Sequence, residues 1–327
     1  MASLAGSNAS TADVLVATTN CEDDPNARDE DSRAALRAVR NGVELADDLW
    51  VGRCPDATRV IDACGLRGDK FSPRRQFGEY YTLIRHNPPG PDGCRWDPDQ
   101  RLRRAVVFSR LVHFTPTGYR YRARVQRDAD GSITGIMPFC GPPAFAGDLS
   151  RPWLTRNEWL TVRSLLCRWD SSVEPAAKRL PRFHSALWYV EKAALEEESA
   201  QRWVLVATAI EALVGEEWQA RGGTGGRGRR FRDGLLKLTQ ECGQTLQEAD
   251  AREAWERRSA VVHGAGLPPL AGQAGPFPDP LYGRVESTVA TTLRKMIESD
   301  EFAGDFADDN KVEAWLSGSA DAERSER

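Results

Sequence analysis

Trp203–Val214 reads WVLVATAIEALV, apolar on almost every side. So uniform a stretch predicts a helix enclosed by its neighbours, at the centre of a bundle. On its N-terminal side, Phe183, Leu187, Val190 and Ala194 follow one another at i, i+4, i+7 and i+11, which gives a first long helix a single apolar stripe. On the other side, a third helix is expected from near Arg230, carrying Leu235, Leu236 and Leu238. A fourth is expected from about Leu246 to Val262. A fifth carries Tyr282, Val285, Val289, Leu293 and Met296 in steps of three and four.

The chain upstream has a different texture. Residues 1–31 mix small polar residues with the acidic runs Glu22-Asp23-Asp24 and Asp29-Glu30-Asp31, and are expected to be a disordered tail. Residues 32–150 read as a small α+β domain with a helix over Arg33–Leu49 and a Pro/Gly-rich loop at Asn87–Gly93. Its clearest local signal is a hairpin. Tyr119, Tyr121, Ala123 and Val125 alternate with Arg120, Arg122 and Arg124, the Asp130-Gly131 turn follows, and Ile133–Phe139 returns. Residues 151–299 form the helical domain, and 300–327 are expected to be an acidic tail.

Composition bounds the function. The chain has 327 residues, a net charge of -4 and pI near 5.8, so it is not a globally basic nucleic-acid binder, and any such contact must be local. The seven cysteines (Cys21, Cys54, Cys64, Cys94, Cys140, Cys167 and Cys242) contain no CxxC pair and have no histidine at zinc spacing. Free thiols in a reducing compartment fit them, and no metal or other cofactor is expected. MASLAGSNASTADVLVATTN lacks a basic start and a sustained apolar run, and no later stretch is long enough to cross a membrane. A cytoplasmic protein without membrane contact is expected.

One constellation suits RNA chemistry: Arg258-Ser259-Ala260-Val261-Val262-His263-Gly264, at the end of the fourth helix. Arginine presents a permanently charged fork to a phosphate, and an imidazole exchanges a proton near neutral pH without a metal. Five helical positions turn the chain through about 500°, about 140° net, so the two side chains share a face only if His263 lies past the helix end or if two subunits combine. The spacing alone carries little weight in so arginine-rich a chain. It recurs at Arg179 and His184, where Pro181 interrupts it. Arg257 and Arg258 also suit the negative end of a helix dipole, and Gly264 a left-handed exit.

Glu211 sits in the apolar helix and needs a donor, for which Arg258 or another arginine is the candidate. Its neighbour Thr208 reads as packing. Arg227, Arg229 and Arg230 close the glycine-rich segment 221–230, which lacks the Gly-Lys-Ser/Thr ending of a nucleotide-binding loop. They read either as an electrostatic grip on RNA or as part of a solvated connector. Arg120, Arg122 and Arg124 read as an outward face, and His86 and His113 have no partners legible in the sequence.

The order RFHSALWYVEKAALEEESAQRWVLVATAIEALVG, a variable loop, RFRDGLLKLTQ and then RRSAVVHGAG with a closing helix resembles the Apea-like HEPN domains of the HEPN superfamily. The similarity spans about Arg182 to Ile297 and rests on the paired segments ATAIEALVG and RRSAVVHG. A fainter likeness extends upstream through AVVFSRLVHFTPTGYRYRARV. It implies an α+β N-terminal unit followed by an all-α HEPN-like helical bundle that forms a homodimer. Active members are metal-independent endoribonucleases with an Arg-x(4–6)-His motif, used in stress response or defence; others bind RNA or a protein partner. Carried onto this chain, Arg258 would steady the scissile phosphate and His263 would act as general acid or base. Glu211 and Ser259 would support them. Ser259 replaces the Asn, Asp or His common in the family, and an unidentified protein partner remains an alternative to RNA.

Overall fold

The computed structural model describes residues 12–18, 34, 38–39, 41–46, 49–53, 81–85, 98–113, 121–127, 133–140, 154–173, 180–196, 198–215, 226–264 and 279–318. It is mostly helical, with a sheet at the N-terminal side. By internal contacts the chain divides into two units. The first holds residues 1–109, 115–144 and 150–166, and the second 110–114, 145–149 and 167–327. The first unit therefore keeps most of the helix Arg156–Arg168, beyond the break expected at residue 150.

In the first unit, strands β1 (Ala12–Thr18), β2 (Val43–Ala46), β3 (Leu49–Arg53), β4 (Tyr81–Arg85), β5 (Tyr121–Arg127) and β6 (Ile133–Cys140) pair antiparallel in the order β2-β3-β4-β1-β5-β6. One rung runs across all six: Val43, Val51, Leu83, Val16, Arg122, Phe139. The expected hairpin is β5–β6, with Arg124 opposite Met137; its turn and Tyr119–Arg120 lie outside the described residues.

Two expectations are corrected here. The supposed tail contributes β1, because Val14, Leu15 and Val16 suit a pleated strand and the slot between β4 and β5 pairs its backbone on both sides. The helix expected over Arg33–Leu49 does not extend through Gly42, whose φ of 93° breaks helical geometry, and Val43–Ala46 is a strand instead. Val43, Leu45, Leu49 and Val51 then bury themselves at the alternating spacing of a hairpin. A side chain at Gly42 or Gly52 would collide with the Trp50 indole, so both positions must stay bare for the hairpin to close.

Helix α1 (Pro98–Val112) follows β4, and α2 (Arg156–Arg168) follows β6. Thr155 and Glu158 start α2 with a reciprocal cap: the Thr155 amide donates to the Glu158 carboxylate at 2.6 Å, and the Glu158 amide to the Thr155 hydroxyl at 3.3 Å. A π-helical turn, Trp169–Val173, ends it.

The second unit contains α3 (Pro181–Leu195), α4 (Ser199–Val214), α5 (Arg227–Glu241), α6 (Glu248–Val262) and α7 (Pro280–Glu298), then the short α8 (Asp300–Gly304) and α9 (Asp309–Ser317). As the sequence predicts, α4 is the centre. It packs against α3, α5, α6 and α7, burying Trp203, Val206, Ala207, Ala209, Ile210, Leu213 and Val214. Gly234 of α5 lets that helix approach: a methyl group there would lie 2.6 Å from Val214 Cγ2.

The acidic tail expected from residue 300 is also corrected. Phe302, Phe306, Val312 and Trp315 are buried, and Phe306 stacks between the rings of Phe302 and Trp315 at 5.4 and 5.0 Å. These apolar residues are spaced for two short helices, and the acids between them act as caps or ion-pair partners. The Asp308 carboxylate accepts from the Lys311 amide at 3.0 Å to start α9.

Candidate functional site

Glu211 lies one turn before the end of α4, on a flank that its buried stripe leaves half open. Arg258 lies on α6, one turn after Trp255. The structure brings the two charges together: Arg258 Nη2 donates to Glu211 Oε2 at 2.9 Å, with side chains 21% and 22% exposed. The Arg258 guanidinium also rests on Trp255, with Cζ 5.3 Å from the ring centre. Its Nε is buried without a hydrogen bond. The carboxylate in the apolar helix thus has its donor, while no described residue engages Arg258 Nη1.

His263 is the residue at which α6 stops. Its amide donates to the Ser259 carbonyl at 3.0 Å, and Gly264 leaves the helix with φ of 78°. Both are exposed, as is Val262, at 49%. Among the described residues nothing holds the imidazole, whereas Arg258 is held on two sides. Ser259 is half-buried, and only its carbonyl takes a defined role. The local sequence explains this end: a β-branched pair, Val261-Val262, finishes the helix, and a glycine supplies the left-handed step.

The basic segment divides. Arg227 and Arg229 are exposed on the first turn of α5, and Arg229 makes a loose pair with Asp233 at 3.4 Å. Arg230 is turned inward. Its Nε donates to the Val214 carbonyl at the end of α4, and its Nη1 to Glu313 at 2.6 Å. From α3, Arg182 covers the Leu213 and Gly215 carbonyls at 3.2 and 2.6 Å and pairs with Asp309. Two arginines thus satisfy the carbonyl end of α4, and each reaches a carboxylate one turn apart on α9. Residues 216–225 lie outside the described residues.

Two buried charge clusters escaped the sequence reading. Arg257, next to Arg258, pairs with Asp279 and Glu253 and lies over the Trp203 ring with Cζ 5.3 Å from its centre. Asp279, itself buried, accepts from Trp203 Nε1 at 3.2 Å and from the Leu281 amide at 3.0 Å, capping α7. The Asp279-Pro280 step was the legible signal for it.

The second cluster gathers Arg110, Arg202, Tyr282 and Glu286, all buried. Tyr282 donates its hydroxyl to Glu286 at 3.2 Å. Burial pushes the Arg110 guanidinium down to about 10 and lowers that of Arg202, each against the opposing pull of Glu286 and Tyr282. Burial, reinforced by the Glu286 charge, holds the Tyr282 hydroxyl well above its ordinary range. Nothing in hydrophobic periodicity distinguishes such charges from solvated ones, because they follow from partners distant in the sequence.

Among the described residues no group of three or more His, Cys, Asp or Glu side chains is placed to hold a metal ion, and no helix is long and apolar enough to cross a membrane. Comparison of the chain with family models, with curated proteins and with solved structures finds no match.

Proposed function

We propose that the chain is an RNA-directed protein of HEPN type, a cytoplasmic homodimer in which Arg258 and His263 act on the phosphodiester backbone without a metal. The observation that carries this reading is the contrast at the end of α6. Arg258 is oriented by Glu211 and Trp255 but keeps donors uncommitted, and His263 stands exposed immediately past the helix. An oriented cation suits a phosphate, and an accessible imidazole suits proton transfer. In cleavage the ribose 2'-oxygen attacks phosphorus as His263 takes its proton, and the bond to the 5'-oxygen breaks. The products are a 2',3'-cyclic phosphate and, after protonation of the leaving oxygen, a 5'-hydroxyl end. Within one copy Arg258 bonds to Glu211 and no contact among the described residues joins it to His263, so in this reading two α6 ends pair in a dimer and one copy's arginine serves the other's imidazole.

A second reading has its own support. With one arm of Arg258 bound to Glu211 and its face covered by Trp255, the site can hold RNA, or a protein partner, without cutting. Incubation with mixed RNA in chelator separates the two readings. Cleavage is expected in the wild type and should fall at least about 100-fold in His263→Ala and in Arg258→Ala. Wild-type binding without cleavage selects the non-catalytic reading. Cleavage unchanged in both variants removes the site.

A further inference from the structure

We infer that Arg182 and Arg230 are positioning residues for the Glu211–Arg258 pair: they clamp the last turn of α4 to α9, and that turn sets where Glu211 holds the guanidinium. What Arg258 acts on rests on the RNA reading; how it is held does not. Glu211 is tied directly to the end of its helix, because its carbonyl accepts from the Gly215 amide at 2.7 Å. The fit there is close. A methyl group at Gly215 would lie 2.3 Å from the Glu211 carbonyl oxygen, so a side chain at position 215 displaces the turn that carries Glu211. The carbonyls that this turn leaves over go to the two arginines, Leu213 and Gly215 to Arg182 at 3.2 and 2.6 Å, and Val214 to Arg230.

The last carbonyls of a helix have no partner within it, and helix ends fray for that reason. Here each arginine that covers them is anchored in turn, Arg182 to Asp309 and Arg230 to Glu313 at 2.6 Å, so two bridges lead from one turn of α4 to one turn of α9. A single bridge would let the turn pivot. Helix α9 is itself well seated: Trp315 is buried against Phe306, and Lys237 donates to its carbonyl with Nζ 5.1 Å from the ring centre. Arg258, on the receiving side, has Nε buried without a hydrogen bond, so the Glu211 contact and the Trp255 face fix its place. Clamp and Glu211 are one helical turn apart, about 5.4 Å, and interiors packed this tightly transmit displacement. A misplacement of about 1 Å at a reacting phosphate can lower its rate about 100-fold.

The test follows the Arg258 side-chain Nε–H resonance in the full chain, assigned by its loss in Arg258→Lys. Glu211→Gln marks where the signal lies once the carboxylate is gone. The expected result is that Asp309→Asn/Glu313→Gln moves it toward that position, that Glu313→Gln alone moves it less in the same direction, and that Gly215→Ala, which changes no charge, displaces it too. Asp250→Asn should leave it in place, because that variant loosens the first turn of α6 and not the end of α4. The last comparison separates positioning from a general loss of stability. Where the double variant does not fold, Glu313→Gln, at a side chain 67% exposed, and Gly215→Ala carry the comparison. Cleavage of mixed RNA in chelator, measured on the same proteins, should fall about 10-fold or more wherever the resonance has moved.

A resonance that stays put in Glu313→Gln and Gly215→Ala, or moves as far in Asp250→Asn, overturns the clamp and leaves the RNA reading standing. Cleavage at the wild-type rate in variants whose resonance has moved overturns the positioning role. A wild type that leaves RNA uncut, with the resonances moving as expected, defeats the cleavage reading and supports the clamp.

Discussion

Arg257 and Arg258 differ by one step of about 100° around α6, and that step decides what each can do. Arg257 points into the bundle, where it neutralises the Asp279 carboxylate that caps α7 and covers the Trp203 ring. Removing it leaves Asp279, 5% exposed, without its cation. Arg257→Ala should therefore cost about 3–5 kcal/mol, and Arg258→Ala, at a pair about one fifth exposed rather than fully buried, should cost less. Urea denaturation of both variants checks this; equal midpoints contradict the assignment of one arginine to the core and the other to the site. The sequence offered both residues as one basic pair. Which of them faces inward was not legible, because the angle of α6 against α4 and α7 decides it, and no local pattern records that angle.

Helix by helix, the bundle was more legible than its fastenings. The stripes of α3 and α7 and the all-round apolarity of α4 follow from periodicity alone, and the observed helices start within a few residues of the expected places. The fastenings depend on charges meeting across helices. Arg182 and Arg230 bind the end of α4 to α9, and Arg284 of α7 holds Asp250 in the first turn of α6 through two hydrogen bonds, of 2.9 and 3.0 Å.

That last pair has a pH signature. The hydrogen bonds from Arg284, aided by the Gln247 amide, hold the Asp250 carboxyl below its ordinary value. A depressed acid stabilises the fold at neutral pH and loses that contribution as pH falls through its lowered value. Asp250→Asn should cost about 1 kcal/mol near neutral pH, the exposed arginine limiting the effect, and the gap to wild type should close below about pH 4. Thermal denaturation across that range measures it; a gap that widens in acid contradicts the assignment.

Over the whole molecule, the chain is mostly helical with a sheet at its N-terminal side, and that coarse contrast is what the sequence pattern carries. Its errors lie at the margins. β1 and the α8–α9 pair come from stretches whose charge and small-residue content masked a few apolar side chains, Val14 to Val16 in one and Phe302, Phe306, Val312 and Trp315 in the other. β1 pairs its backbone with β4 and β5, far along the chain, so it does not announce itself locally. The acids of α9 that suggested a tail are partners for arginines instead. Pairing of acids with arginines also ties charges behind the overall -4 to one another across helices, Arg182 to Asp309 and Arg230 to Glu313 among them.

On the proposed reading, RNA binding should be local and electrostatic, with the exposed Arg227 and Arg229 contributing to it. The most direct measurement is fluorescence anisotropy of a labelled single-stranded RNA with the full chain, between about 50 and 200 mM salt, repeated with Arg227→Ala/Arg229→Ala. Binding that weakens with salt, and whose log–log slope becomes shallower by about 1.4 in the double variant, is the result predicted at about 0.7 per lost phosphate contact. No binding at the lowest salt, or a slope that the two substitutions leave unchanged, contradicts the account.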